Sequence, residues 1–177
     1  MPVVIRPAAP GDLAAITAIY GPAVRDGTAS FELEPPDEAE MRARFERITR
    51  RGYPYLVAEE NRRVLGYAYA NAYRDRLAYR FTVEDSIYVA EDAQGRGIGR
   101  QLLEALIRIC TDGRFRLMVA VIGDSRQYAS ITLHRSAGFH FCGTLHGVGY
   151  KHGRWLDSVL MERALGPGEA APPDERG

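Results

Sequence analysis

The spacing of apolar residues changes period several times along the 177 residues, and each change marks an element. Val3-Val4-Ile5-Arg6-Pro7 reads as a short first strand. Pro10 at a first helical position and Asp12 just inside it open a helix that runs to about Tyr20. Its buried face is Leu13, Ile16, Ile19 and Tyr20, and Gly21-Pro22 is expected to end it. Residues 27–32 show no period and read as a loop. Asp37 stands three residues before Glu40, in the manner of a capping box. Met41, Phe45 and Ile48 then mark one face of a second helix. Its other face carries Arg42, Arg44, Arg47, Arg50 and Arg51, which read as a solvated charge run.

Beyond Gly52, residues 55–59 and 64–72 read as two strands around a polar turn. The stretch 73–80 is too charged for a core strand. Residues 81–90 form a further strand that runs into the turn Gln94-Gly95-Arg96-Gly97-Ile98-Gly99. Ile98, Leu102, Leu103, Leu106, Ile107 and Cys110 give the next helix a broad apolar stripe. The continuous apolar run 116–122 predicts a central strand covered on both faces. A short helix over 125–137 follows, closed by Gly138. Residues 139–146 and 155–162 are the last two strands, joined by a long polar loop over 147–154. The order mixes hairpin-linked with helix-linked strands. It predicts an α/β (α+β) sandwich around a mixed sheet, with one domain over 1–165 and a disordered tail over 166–177.

Composition removes several function classes. Lys+Arg and Asp+Glu both number 23, so no global field draws the chain to nucleic acid or an anionic membrane. At 46% hydrophobic and 26% charged the chain is an ordinary globular protein. No apolar run is long enough to span a bilayer, and the first residues lack the pattern of a secretory signal. Cys110 and Cys142 lie in apolar surroundings with no close pair, and are read as buried reduced thiols in a cytoplasmic protein. His134, His140, His146 and His152 recur every six residues, which suits neither helix nor strand geometry, so no metal site is assigned.

The turn at 94–99 carries the first chemical signal. A strand ending in glycines and feeding a helix aims unpaired amides and a partial positive charge at one point. Glycines allow close approach of a polyphosphate, and Arg96 adds a mobile cation. The glycines at 95, 97 and 99 miss the dinucleotide spacing, and no triphosphatase loop is present. The turn is therefore read as holding a phosphate-bearing ligand of another kind.

Gln94-x-x-Gly97-x-Gly99 after a strand resembles the Q/R-x-x-G-x-G/A motif of the GNAT superfamily of acetyl-CoA-dependent N-acetyltransferases. Four further stretches are similar to the phosphinothricin N-acetyltransferase family within it. They are Thr82-Val83-Glu84-Asp85-Ser86-Ile87-Tyr88-Val89, Val119-Ala120-Val121-Ile122-Gly123, Leu133-His134-x-x-x-Gly138-Phe139 and Lys151-His152-Gly153-Arg154-Trp155-Leu156-Asp157. The resemblance implies the GNAT fold, a mostly antiparallel sheet of about seven strands flanked by about four helices. It implies acetyl-CoA as co-substrate, no metal, and direct attack by an amine in a ternary complex. The acceptor would be the α-amino group of a small amino acid analogue of the phosphinothricin or methionine sulfoximine type, with herbicide resistance as a side effect.

Residue by residue, the resemblance assigns the pyrophosphate to Gln94, Gly95, Arg96, Gly97, Ile98, Gly99 and Arg100. It assigns the pantetheine arm to the edge of Ile87, Tyr88 and Val89, on a strand that a β-bulge typically splays. Gln127 stands where relatives carry an asparagine, and Ser136 where they touch the coenzyme. Glu84 matches the proposed catalytic base. His134 takes the place of a tyrosine that protonates the departing thiolate in many members. Arg74 and Arg76 fall where the family binds the acceptor's oxyanion, a task suited to the guanidinium fork. Phe31, Tyr79, Asp85, Ser86 and Lys151 complete the expected acceptor wall, although alternation turns Asp85 to the face opposite Glu84. A homodimer is implied, with no nucleic-acid or membrane partner. Two other readings stay open: a peptide or protein amine as acceptor, and an acetyl-CoA-binding sensor without catalysis.

Overall fold

The computed structural model describes residues 2–173. Residues 174–177, the end of the predicted tail, lie outside the described residues. The element order is β1 (Val4–Pro7), α1 (Leu13–Arg25), α2 (Glu38–Arg50), β2 (Tyr55–Glu60), β3 (Arg63–Ala72), β4 (Thr82–Val89), α3 (Ile98–Asp112), β5 (Leu117–Gly123), α4 (Tyr128–Ser136), β6 (His140–Lys151) and β7 (Arg154–Ala164). The strands form one mixed sheet in the order β1-β2-β3-β4-β5-β7-β6. Only β4 and β5 pair parallel; every other neighbour is antiparallel.

Each face of the sheet has its own core. On one face Leu13, Ile16, Tyr20 and Val24 of α1 and Met41, Phe45 and Ile48 of α2 pack on Tyr55, Val57 and Tyr67. Tyr55, Tyr67, Tyr69 and Tyr88 stack beneath them, with Tyr55–Tyr69 centroids 4.9 Å apart and Tyr67–Tyr88 centroids 5.3 Å apart. On the other face Leu102, Leu103, Leu106 and Cys110 of α3 pack on Leu65, Ala68, Met118 and Ala120. Removing such large apolar surfaces from water is the main drive for this layering.

Several expectations need correction. Gly21-Pro22 does not end α1, which runs on to Arg25. Pro22 forfeits one amide bond, but Val24 extends the stripe of Leu13, Ile16 and Tyr20 by one more turn and is fully buried. The region 147–154 is no loop. β6 continues to Lys151, and the hairpin turns on His152-Gly153, both at positive φ (52° and 73°), as a type I′ turn demands. β5 is not covered on both faces: α1 and α2 pack on β2, β3 and β4, and Val121 is 41% exposed. Cys142 is exposed, while Cys110 is buried and its thiol is pushed up to about 12 by loss of water. Arg44 is not simply solvated, because it clasps Glu32 at 2.6 and 3.1 Å and also binds Glu40. Glu40 therefore does not close the capping box, although Asp37 does cap its amide at 2.8 Å. The described part of the tail from 166 onward touches the domain. Leu165 is buried, Gly168–Ala170 form a single 3-10 turn, and Arg116 donates to the carbonyl of Pro172 at 3.0 Å.

Candidate active site

The site is made by two parallel strands that part. β4 and β5 pair from Thr82↔Leu117 to Asp85↔Ala120 and no further, although β4 runs on to Val89 and β5 to Gly123. The edge of Ser86, Ile87, Tyr88 and Val89 therefore has no strand beside it. The β3–β4 register is unbroken from Gly66↔Val89 to Ala72↔Val83, so the divergence does not come from a bulge there, contrary to the resemblance. A cleft of about 530 Å³ fills the gap, and both the bare edge and Gln94, Gly95, Gly97, Ile98, Gly99 and Arg100 line it.

The glycine turn is shaped by backbone. Gly95 and Gly97 lie at φ of 73° and 77°, the left-handed region where a side chain is strained. Gly97 is the N-cap of α3 and provides no side chain to cap it. The first-turn amides of α3 are thus left for a ligand, at the positive end of a 15-residue helix. The two arginines are not loose cations. Arg96 forks onto both oxygens of Glu60 at 2.9 Å, and Arg100 binds Glu104 at 2.7 Å. Gln94 reaches back to the carbonyl of Val89 at 3.4 Å.

Alternation along β4 divides its acids. Asn71↔Glu84, Tyr69↔Ser86 and Tyr67↔Tyr88 face each other on the α1/α2 side, the side of the tyrosine stack. Burial, then the charge of Asp85, raises the Glu84 carboxyl to about 7, with Arg74 pulling the other way. Asp85 lies on the α3/α4 side. Its carboxylate accepts from Nε2 of His134 at 2.9 Å, while Nδ1 of His134 donates to the carbonyl of Ser130 at 2.8 Å. Both ring nitrogens face acceptors, which favours the doubly protonated ring. Burial alone would lower the His134 pKa, but the bond and charge of Asp85 overcome it and hold the value above the usual one. Among the described residues the second Asp85 oxygen is buried with no partner, so this pair is incomplete by one hydrogen bond.

The remaining predicted residues fall in three places. Arg74, Arg76 and Tyr79 sit on the exposed turn between β3 and β4, Arg74 over the ring of Tyr73 at 5.1 Å and Tyr79 edge-on to the same ring. Phe31 lies beside Gly123 at the far end of β5, and Lys151 of β6 reaches the residue before Phe31. Lys151 is buried and donates to the carbonyl of Ser30 at 2.7 Å, and loss of water lowers its pKa. Gln127 lines the cleft, yet its amide donates to the hydroxyl of Thr28 at 3.1 Å. Ser136 does not line the cleft; its hydroxyl turns back to the carbonyl of Leu133 at 2.8 Å. The sequence reading missed Tyr69, whose hydroxyl bonds Ser86, and Asp124, which ties Thr28 and Arg154 together at 2.9 and 2.6 Å. The repeat of tyrosines at 67 and 69 on one strand face was the available signal for the first. The second had none, because its partners lie about thirty or more residues away.

Comparison with known proteins agrees with this geometry. The Acetyltransferase (GNAT) family matches residues 21–139. A phosphinothricin N-acetyltransferase of Alcaligenes faecalis is 55% identical over 92% of this chain and 83% of its own. An L-methionine sulfoximine/L-methionine sulfone acetyltransferase of Pseudomonas paraeruginosa is 44% identical over 95% of this chain and 98% of its own. A crystal structure of a phosphinothricin acetyltransferase from Sinorhizobium meliloti in complex with acetyl-CoA superimposes with a TM-score of 0.96. It is 50% identical, with 99% of this chain and 95% of that one covered. A bare strand edge, a glycine turn and a first helical turn without a cap fit a coenzyme made of amides and a pyrophosphate. The chain belongs to the acetyltransferase (GNAT) family.

Proposed function

We propose that the protein acetylates the α-amino group of a small amino acid analogue of the phosphinothricin or methionine sulfoximine type. One observation carries the reading: a carboxyl raised to about 7 by burial, Glu84, stands on β4 next to Asp85, the last residue of β4 that pairs with β5. Acetyl-CoA supplies the thioester carbonyl. Glu84 accepts a proton from the acceptor ammonium, directly or through one water, and frees the lone pair that forms the new N–C bond. The C–S bond breaks and the sulfur leaves as a thiolate, whose ordinary pKa of about 8.5 lets it depart without a dedicated acid. We assign His134 to holding Asp85 and α4, because both its N–H groups are committed to them. Arg74 and Arg76 are exposed at the same end and suit a phosphinate, sulfoximine or carboxylate. The turn at 94–99 and the edge of Ile87, Tyr88 and Val89 hold the coenzyme.

A homodimer accompanies this reading. β6 is an edge strand, and Phe141, Leu145, Val148, Tyr150 and Trp155 of the β6–β7 hairpin are at least half exposed. Natural sheets seldom leave such an edge bare, and a second copy would cover it. Light scattering at micromolar concentration reports the mass: twice the chain mass supports the dimer, and the chain mass alone rejects it.

The activity is tested by incubating the protein and acetyl-CoA with phosphinothricin, methionine sulfoximine, methionine sulfone and a set of short peptides, while free thiol is followed. Thiol release with the amino acid analogues is expected. Release with peptides alone moves the acceptor to a protein amine, and no release with any of them ends the proposal.

A further inference from the structure

The segment between α1 and α2 crosses the end of β5 as a strap. Ala29 lines the cleft. On either side the strap is fastened: Thr28 donates to Asp124 at 2.9 Å, and Lys151 donates to the carbonyl of Ser30 at 2.7 Å. Phe31 is the member left partly exposed, at 39%. Its ring lies between two glycines on different strands. A Cβ on Gly123 of β5 would stand 2.9 Å from Cε1 of the ring, and a Cβ on Gly149 of β6 would stand 2.5 Å from Cε2. Neither glycine has a positive φ, so neither is there for the sake of its backbone. What both positions require is the missing methyl group.

The sheet order gives this notch a direction. β7 lies between β5 and β6, and β5 lies next to β4. The ring therefore bridges β7, with one edge toward β6 and the other toward the cleft. Any group added at Gly149 drives the ring toward β5, over the exposed Val121 and the face that carries Glu84. We propose that Gly149, with Gly123, sets how far the Phe31 ring reaches into the acceptor space, and so sets the length of acceptor side chain that fits. The inference rests on the acceptor reading above and adds a specificity determinant to it. Gly149 acts through Phe31: the three heavy atoms nearest to its Cβ would all be carbons of that ring, at 2.5, 2.6 and 3.2 Å. Gly123 differs, because its Cβ would also press the carbonyl of Thr28 at 2.8 Å and shift the strap itself.

The test is a double-mutant cycle with two acceptors, methionine sulfone and its homologue one methylene shorter, S-methylcysteine sulfone. Gly149→Ala is expected to lower kcat/KM for methionine sulfone by about tenfold, the usual scale for one methylene in a pocket, and to lower it less for the shorter acceptor. The KM for acetyl-CoA stays unchanged. In a Phe31→Ala background the same Gly149→Ala change costs nothing further, because the added methyl group meets no ring. A Gly149→Ala loss of the same size in both backgrounds, or equal for both acceptors, or expressed in the KM for acetyl-CoA, overturns the proposal. An unaltered melting temperature of Gly149→Ala shows that the loss is not one of folding. Absence of transfer by the unmodified protein would instead strike the acceptor reading on which the proposal stands.

Discussion

The two ends of the cleft are made of different materials. The end we assign to the coenzyme is backbone: the bare edge of β4, two glycines at positive φ, and the uncapped amides that open α3. The end we propose for the acceptor is side chains, carried by the β3–β4 turn, the strap and β4 itself: Arg74, Arg76, Phe31 and Glu84. Backbone donors are set by the course of the chain and tolerate changes of side chain. A carboxyl with a pKa near 7 depends on its burial and on the charge behind it, so one neighbour can retune it. The comparison teaches that coenzyme affinity and acceptor turnover should fail separately.

The strongest break is at Glu84. Glu84→Gln is expected to lower kcat by roughly 10²–10⁴-fold while the KM for acetyl-CoA moves little. Next comes the closed pair behind it. His134→Gln leaves the buried Asp85 carboxylate facing a neutral amide in place of a cation and should cost about 3–5 kcal/mol in a denaturant titration. The sign of its pH dependence follows from the raised His134 pKa. The stability it adds is complete below the unfolded value of about 6.5 and is lost as pH rises through the folded value. The melting temperature of the unmodified protein should therefore fall over that range, and His134→Gln should lack that component. A smaller effect is expected at the arginines: Arg74→Ala or Arg76→Ala should raise the KM for phosphinothricin about tenfold and spare that for acetyl-CoA. The smallest is at the coenzyme end. A Cβ at Gly97 meets nothing within 4 Å, so Gly97→Ala pays only the left-handed strain, about 1 kcal/mol. It should weaken acetyl-CoA several-fold and leave the acceptor KM alone. If Gly97→Ala weakens the acceptor as much as the coenzyme, the two ends are not independent.

How legible each end was follows from the same difference. Gln94-x-x-Gly97-x-Gly99 showed a glycine turn at the head of α3, because contiguous spacing encodes backbone shape. The alternation of β4 correctly separated Glu84 from Asp85. Elements were readable wherever the apolar pattern was strong, as in the continuous run of β5 and the stripe of α3. Contacts between distant segments were not. The bond of His134 to Asp85 spans 49 positions, and that of Lys151 to Ser30 spans 121, and neither has a local signature. Arg96 looked like a free cation because Glu60, its partner, lies across a strand gap 36 positions away. Pro22 and the glycines of β6 misled for a related reason. Local breakers were read at face value, while the buried stripe through Val24 and the I′ turn at His152-Gly153 outweighed them.

The central claim is that Glu84 is the base. The direct measurement is the pH dependence of kcat/KM for the acceptor, in the unmodified protein and in Glu84→Gln. An acid limb with a midpoint near pH 7, present in the first and absent in the second, is the predicted result. The same limb persisting in Glu84→Gln, or a loss carried equally by acetyl-CoA affinity, would contradict it.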